Sequence, residues 1–454
     1  MELRDKRILI AGIGKSGMAA LRVLTEKGAE VRVYDNKKPE EIDAEVKKEA
    51  EEKAAACYWG ELPEAELEFD QMIISPGIAL TEDIAVYGKE HSVEVIGELE
   101  LAYRLSRGKY IAITGTNGKT TTTSLVGEIL KKAGRKTFVV GNIGEPVVYA
   151  AEKSDADSWF AAEVSSFQLE TVKEFHPVVS AMLNLTPDHL NRHGTFEEYG
   201  RAKANVYKNQ TRDDYFIVNW DNREGYALAG NCPALVIPFS RKEELEEGCF
   251  VKDGRIVIRD LEDREVDICS LADIRIPGDH NVENVLAAAA MCFYAGVEPA
   301  DIARGIREFE GVEHRIEFVD EIGGVRYYND SKGTNTDASR KALEALKENI
   351  ILIAGGYDKK ENMLPFAEDL KGRVKHLLLM GVTAPDIAKA CDEAGFADYS
   401  FRKDLEECMD AAYEMAEPGD IVLLSPACAS WDMYPSYEVR GRHFKELVGR
   451  LKQR

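Results

Sequence analysis

Short apolar runs and longer amphipathic stretches alternate along the whole chain. RILIAG (7–12) has the length of a strand, and Ser16–Lys27 behind it carries apolar residues at helical spacing. EVRVYD (30–35) predicts a second strand, and FDQMIISPG (69–77) a later one stopped by the Pro76-Gly77 turn. The charged stretch Glu40–Lys53 predicts a solvated helix. Apolar runs of four to six residues with helices between them predict parallel strands covered on both faces, an α/β class.

The alternation restarts at KYIAIT (109–114). It continues through a helix over Lys119–Ala133 and strands at KTFVVG (136–141), SWFAAEVS (158–165) and PVVSAMLNL (177–185). FVKDGRIVI (250–258) predicts a hairpin turning at Asp253-Gly254, and Asn281–Ala295 a helix. A third unit opens with RIEFVDEIGGVRYYND (315–330), again a hairpin pattern. NIILIAGG, KHLLLMG and DIVLLSP then predict buried strands. No short-period repeat or heptad run interrupts the sequence, and 454 residues suit about three domains. The expected division is 1–98, 99–311 and 312–454.

Composition removes several function classes. The chain is 44% hydrophobic and 31% charged, enough to build cores, and its net charge of -23 makes it a poor general binder of nucleic acid or anionic membrane. Anionic substrates must therefore be held by local basic groups and backbone N–H groups. None of the eight cysteines forms a CxxC pair or takes zinc-ligand spacing with histidine, so reduced thiols are expected. MELRDKR lacks the apolar core of a signal peptide, and the most apolar helix candidate, Val285–Ala295, is far short of the roughly 20 residues that span a bilayer. The expectation is a cytoplasmic monomer without membrane insertion or a nucleic-acid partner.

Two loops have phosphate-binding patterns. AGIGKSG holds Gly12, Gly14 and Gly17 in G-x-G-x-x-G behind a strand, with Asp35 ending the next strand. The pattern grips a pyrophosphate against a helix N-terminus, which leaves a dinucleotide and another diphosphate ligand both open. GTNGKTT follows a strand and opens a helix. Gly115 and Gly118 allow a tight turn, Lys119 can reach β/γ-phosphates, and Thr120 can ligate Mg²⁺. Ile113 stands where the longer G-x-x-x-x-G-K-[ST] motif has its first glycine. Glu163 and His189 follow further strands, where sheet ligands gather.

GTNGKT, EVSSFQLE, NLTPDHLNRH, GDHNVENVLAA, EHRIE and YYNDSKGTNTDA occur in this order. The set resembles the Mur ligase family, the ATP-dependent amide ligases of peptidoglycan synthesis, over nearly the whole chain. LLSPACASWDMYPSYEVRGRHF resembles the branch that adds D-glutamate, and no DNPR-type motif of the diaminopimelate- and lysine-adding branches is present.

The resemblance implies a Rossmann-like N-terminal domain for the UDP part of the substrate, a central P-loop ATPase-type domain, and a C-terminal Rossmann-like domain that takes the amino acid and closes on ATP. The implied substrates are ATP, UDP-N-acetylmuramoyl-L-alanine and D-glutamate. The first loop then binds substrate, and the second marks the chemistry.

Gly14, Lys15 and Ser16 would meet the diphosphate, with Asp35, Asn36 and Lys37 near uridine and Gly77, Asn142, Ser165 and Gln168 along the substrate. Related enzymes often have Thr-Arg where this chain has Asn36-Lys37. Gly115, Thr116, Asn117, Gly118, Lys119, Thr120 and Thr121 would hold ATP, with Asn284 at adenine, Asp330 at ribose and Arg315 at phosphate. Thr120, Glu163, His189 and Lys203 would serve two Mg²⁺, Lys203 as a carbamate formed from CO₂ or bicarbonate. Lys119, Asn142, His189 and Lys203 would be the catalytic group. Lys332, Thr334, Lys359, Ser430, Trp431 and Tyr437 would shape the D-glutamate pocket. The alternatives are a ligase for another amino acid or for folate, a binding protein that has lost catalysis, and a dehydrogenase built on GIGKSG.

Overall fold

The computed structural model describes residues 3–62, 68–357 and 362–452, and every element named is one of the described residues. The chain forms three sheets. The first is parallel throughout, in the order β3-β2-β1-β4-β5, with β1 Arg7–Ala11, β2 Glu30–Asp35, β3 Ala56–Trp59, β4 Gln71–Ile74 and β5 Glu94–Gly97. The strands of RILIAG and QMII are buried along almost their full length, as continuous apolar runs in a two-sided sheet must be. The order reverses beside β1, so the loops after β1 and β4 face one crevice.

The second sheet runs β14-β13-β12-β11-β10-β9-β6-β8-β7. Its strands are β6 Lys109–Thr114, β7 Thr137–Gly141, β8 Trp159–Glu163, β9 Val179–Met182, β10 Tyr215–Asn219, β11 Leu235–Ser240, β12 Gly248–Lys252, β13 Arg255–Arg259 and β14 Glu265–Ser270. Pairing is parallel from β7 to β12 and antiparallel from β12 to β14. The expected hairpin at Asp253-Gly254 joins β12 to β13. Because β6 lies between β8 and β9, the segments leaving these three strands are neighbours.

The third sheet runs β15-β16-β20-β17-β18-β19, with β15 Glu317–Ile322, β16 Val325–Asn329, β17 Ile350–Ala354, β18 Val374–Leu379, β19 Tyr399–Phe401 and β20 Ile421–Leu424. Only the β15–β16 hairpin is antiparallel. Its centre is β16-β20-β17, which brings together the loops after Asn329, Leu424 and Ala354.

The chain divides into two compact units, Met1–Asp273 with Val282–Arg307, and Ile274–Asn281 with Glu308–Arg454. The first unit carries two sheets on a continuous apolar core that includes Ile8, Leu24, Leu99, Tyr110, Val147 and Phe160. The helix Glu98–Leu105 links these sheets with two carboxylates that are almost completely buried. Glu98 accepts the Val148 N–H at 2.7 Å. Glu100 accepts the N–H groups of Lys173, Glu174 and Phe175 at 2.9–3.0 Å, and Arg104 Nε at 2.8 Å. Burial pushes the Glu98 carboxyl up to about 7 against the opposing backbone hydrogen bonds.

Three helix starts differ slightly from the sequence reading. The helix expected from Ser16 begins at Lys15. The helix expected from Glu40 begins at Ala44, because the Asp43 carboxylate caps the Glu45 and Val46 N–H groups. The helix expected from Asn281 begins at Asp279 and ends at Tyr294. No described helix is long and apolar enough to cross a membrane.

Candidate active site

The three glycines of the first loop have different physical tasks. Gly12 turns the chain at φ 87, and a Cβ there would press on Ser75 and Ile78 of the loop after β4. A Cβ at Gly17 would collide with the Gly12 carbonyl oxygen, while one at Gly14 would meet nothing within 4 Å. The middle glycine is thus the open approach to the N-terminus of the helix Lys15–Glu26, where a diphosphate would sit. Lys15 Nζ donates to the Gly144 carbonyl at 2.6 Å, and Ser16 lies in the first helical turn. Asp35 is buried and accepts the N–H groups of Ile13 and Lys37, each at 3.0 Å, so its carboxylate helps to build the loop. Asn36 Nδ2 reaches Glu82 at 3.5 Å, and Gly77 and Lys37 are exposed.

The second loop leaves β6. Gly118 takes φ 84 as N-cap of the helix Lys119–Lys132, a left-handed turn that favours glycine, and a Cβ there would strike Asn284 Oδ1. The same Asn284 oxygen accepts Thr122 Oγ1 at 3.2 Å, so this asparagine sits against the loop and first turn. Thr120 and Thr121 are buried in that turn. Asn184, after β9, accepts the Thr116 N–H through its carbonyl at 3.0 Å. Its side chain accepts the Asn117 N–H at 2.8 Å and donates to the Asn117 carbonyl at 3.1 Å. Thr116 Oγ1 shares a 3.2 Å hydrogen bond with Tyr199 Oη. The loop is therefore laced to its neighbours with its N–H groups at a helix N-terminus, an arrangement that attracts phosphate.

Lys119 Nζ donates to the carbonyls of Gly115 and Thr116 at 2.9 and 2.8 Å, and Lys203 Nζ donates to Gly115 at 2.8 Å. Lys203 is almost wholly buried with its ammonium 4.7 Å from the Tyr199 ring centroid. Burial first, and then Lys119, push this ammonium well below the usual lysine range.

Glu163 ends β8. Its Oε1 accepts Asn142 Nδ2 at 2.9 Å, and its buried Oε2 has no hydrogen-bond partner among the described residues. A buried carboxylate oxygen without a donor fits a hard cation such as Mg²⁺. Among the described residues no three His, Cys, Asp or Glu side chains cluster for a metal, so an ion at Glu163 would complete its shell from other oxygens, as Mg²⁺ does with substrate phosphates and water. His189 has φ 51, and its half-exposed ring lies 5.0 Å from that of Phe167. Ser165 and Gln168 form a capping box at the helix Ser166–Leu169, which turns both side chains toward each other.

In the second unit, Asp330 follows β16, accepts the Ile316 N–H at 3.2 Å and Ser425 Oγ at 2.6 Å, and is pushed up to about 7 by burial. Arg315 lies in the turn before β15. Lys332 Nζ is 5.9 Å from the Tyr437 ring centroid, and the Thr334 N–H donates to the Lys332 carbonyl. Ser430 is buried, whereas Trp431 is exposed with its ring 5.6 Å from Tyr357. Lys359 lies outside the described residues.

Arg440 holds two of these loops, and sequence reasoning missed it. Its guanidinium donates to Ser331 Oγ, to the Ser331 carbonyl and to the carbonyls of Cys428 and Ala429, all within 3.0–3.3 Å. Burial lowers it to about 10, still protonated near neutral pH. The available signal was its place in the apolar stripe with Phe444, Leu447, Val448 and Leu451. Asn184 was visible only as a letter in NLTPDH, because its role depends on where β9 ends beside β6.

The sequence matches three family descriptions in order: a Mur ligase MurD-like N-terminal domain over 6–97, a Mur ligase middle domain over 113–292, and a Mur ligase glutamate ligase domain over 314–428. It is 46% identical to the UDP-N-acetylmuramoylalanine–D-glutamate ligase of Thermoanaerobacter sp. (strain X514), over 100% of both chains. It is 48% identical to the enzyme of that name from Alkaliphilus metalliredigens, again over 100% of both. The crystal structure of UDP-N-acetylmuramate-alanine ligase MurC from Thermotoga maritima shares the fold at a TM-score of 0.60 and 19% identity, over 99% of each chain. With all three domains in order and close relatives matched from end to end, this chain belongs to the Mur ligase family.

Proposed function

We infer that the chain is an ATP-dependent amide ligase that adds D-glutamate to UDP-N-acetylmuramoyl-L-alanine in peptidoglycan precursor synthesis. The observation that carries this reading is full-length identity of 46–48% to ligases of that name. The three domains are 1–98 for the UDP substrate, 99–311 for ATP and 312–454 for the incoming amino acid. The enzyme works in the cytoplasm as a monomer.

The substrate carboxylate attacks the γ-phosphorus and forms an acyl phosphate with release of ADP. The D-glutamate amine then adds to the acyl carbon, the C–O bond to phosphate breaks, and phosphate and the amine proton leave. Both steps bring anions together, so fixed positive charge and oriented N–H groups are the principal catalytic means. Lys119 and the loop 115–121 hold the triphosphate, with Asn284 beside that loop; Arg315 and Asp330 are the nucleotide-binding residues of the other unit. Gly14–Ser16, Asp35–Lys37, Gly77, Asn142, Ser165 and Gln168 receive the UDP substrate. Lys332, Thr334, Lys359, Ser430, Trp431 and Tyr437 receive D-glutamate. Thr120, Glu163 and His189 would hold Mg²⁺, which supplies charge neutralisation at the phosphates.

Lys203 carries a carbamate in this reading. Burial and Lys119 favour its neutral amine. That amine adds to CO₂, a C–N bond forms, one N–H proton is released, and an anionic oxygen ligand then stands beside Lys119.

Phosphate release measured with ATP and UDP-N-acetylmuramoyl-L-alanine tests the function. D-glutamate is expected to stimulate it, and L-glutamate, L-lysine and meso-diaminopimelate are not. Stimulation by another amino acid alone would overturn the assignment.

A further inference from the structure

Arg192 lies three residues beyond His189, in the short helix Leu190–His193. Its guanidinium leaves that segment and crosses to the loop after β4. Nη1 donates to the Gly77 carbonyl at 3.2 Å, and Nη2 donates to the Ile78 carbonyl at 2.8 Å and to Glu170 Oε2 at 2.9 Å. The guanidinium carbon lies 4.7 Å from the Phe167 ring centroid, a cation–π distance. The second Glu170 oxygen is 3.3 Å from His193 Nδ1, and His193 Nε2 is 3.0 Å from Ser166 Oγ. Arg192 and Glu170 are only 14% and 17% exposed, so the pair is shielded enough to hold one geometry.

Both ends of this connection meet proposed substrate positions. Ser75, in the same loop as Gly77 and Ile78, donates its hydroxyl to the Gly12 carbonyl at 2.8 Å. Phe167 packs against His189 as well as Arg192. One guanidinium therefore links the diphosphate loops to the segment that carries His189.

We propose that Arg192 is a positioning residue that fixes the spacing between the UDP-binding loops and the reacting end of the same substrate. The proposal rests on the reading of Gly14 and Gly77 as UDP-substrate positions. A ligand held at two distant points reacts only if the two holders keep their separation, and small misplacements cost large factors in rate. A fork that spans two carbonyls and a carboxylate sets that separation, which a single ammonium cannot do.

The test measures Arg192→Ala, Arg192→Lys and Glu170→Gln beside the wild type. The readouts are kcat, KM for each of the three substrates, the Kd of UDP alone by calorimetry, and Tm. UDP alone touches only one end of the connection. For Arg192→Ala the expected result is a UDP affinity and ATP KM within twofold of wild type. Its kcat/KM for UDP-N-acetylmuramoyl-L-alanine should fall at least tenfold. Arg192→Lys should fall between the two, and Glu170→Gln should show the same pattern more weakly if Arg192→Ala does not fold. Unchanged kcat/KM for the UDP substrate would overturn the proposal. So would a loss of UDP affinity, ATP KM and Tm together, which marks a general structural role. A wild type that shows no D-glutamate-dependent phosphate release would instead overturn the proposed function.

Discussion

Lys119 and Lys203 donate to the same acceptor: the Gly115 carbonyl oxygen receives Lys119 Nζ at 2.9 Å and Lys203 Nζ at 2.8 Å. Two cations on one oxygen repel each other, and burial leaves little water to screen them. The arrangement favours a change at the more buried group, Lys203, whose conversion to an anion would turn repulsion into attraction.

Lys203→Ala is therefore expected to be inactive under saturating substrates and to recover part of its turnover when a small carboxylate is added. Mass analysis of the active wild type in bicarbonate should show the mass of one added CO₂ on this lysine. An unmodified lysine in fully active enzyme would refute the carbamate.

Lys119→Ala should lower turnover by at least about 10²–10³-fold, the scale for removing one preorganised charge or donor at a transition state. Circular dichroism and Tm should remain close to wild type. A variant that keeps most of its ligation rate would show that the loop 115–121 has another task.

The first loop can be tested by a pair of alanines. Gly17→Ala forces a Cβ into the Gly12 carbonyl and should destabilise the protein by about 1–3 kcal/mol. Gly14→Ala meets nothing in the protein and should leave stability within about 0.5 kcal/mol while weakening UDP binding at least tenfold. NADH should bind the wild type far more weakly than UDP. Equal UDP affinity in Gly14→Ala would remove the diphosphate from this loop.

Glu98 makes stability depend on pH. Its carboxyl is raised by burial from 4.5 to about 7 in the folded protein, so the folded state holds a proton that the unfolded state has released. Its contribution is fully present below pH about 4.5, declines as pH rises, and is lost above about 7, a change of roughly 3 kcal/mol. Glu98→Gln retains an oxygen for the Val148 N–H but cannot ionise. Its stability should fall less than that of wild type from pH 5 to 8, measured by denaturant unfolding. Parallel curves would show that Glu98 does not titrate in this range.

Arg440→Met should strip donors from the carbonyls of Ser331, Cys428 and Ala429, at about 1–3 kcal/mol for each group left unsatisfied. The neighbouring Lys332 and Ser430 should lose their fixed positions. The KM for D-glutamate should rise at least tenfold while UDP affinity stays unchanged. A selective loss of UDP affinity would contradict the assignment of the third sheet to the amino acid.

The buried strands were the most legible part of the fold, because β1, β6 and β17 are unbroken apolar runs with glycine-containing loops behind them. The short edge strands β3 and β5 offer only four residues each, too few for a period. LVIPFS carries Pro238, which argues against a central strand, yet residues 235–239 pair with β10 along their length. In the fold only Phe239 and Ser240, just beyond the proline, pair with β12. Motif spacing marked the loops but not what lies behind them. Asn184, Arg192 and Arg440 bind backbone groups supplied by other loops, and that pairing is set by strand order.

The helix Glu98–Leu105 has a consequence for dividing this chain into pieces. It follows the last strand of the first sheet directly, but its buried carboxylates serve backbone amides that belong with the second. A fragment opening at residue 106 would leave the amides of Val148, Lys173, Glu174 and Phe175 without acceptors, and the severed remainder would carry two acidic groups with nothing to receive. A cut ahead of Glu98 sends donors and acceptors to the same side. For piecewise expression or domain exchange, this helix should travel with the second sheet, as the opening element of that fragment.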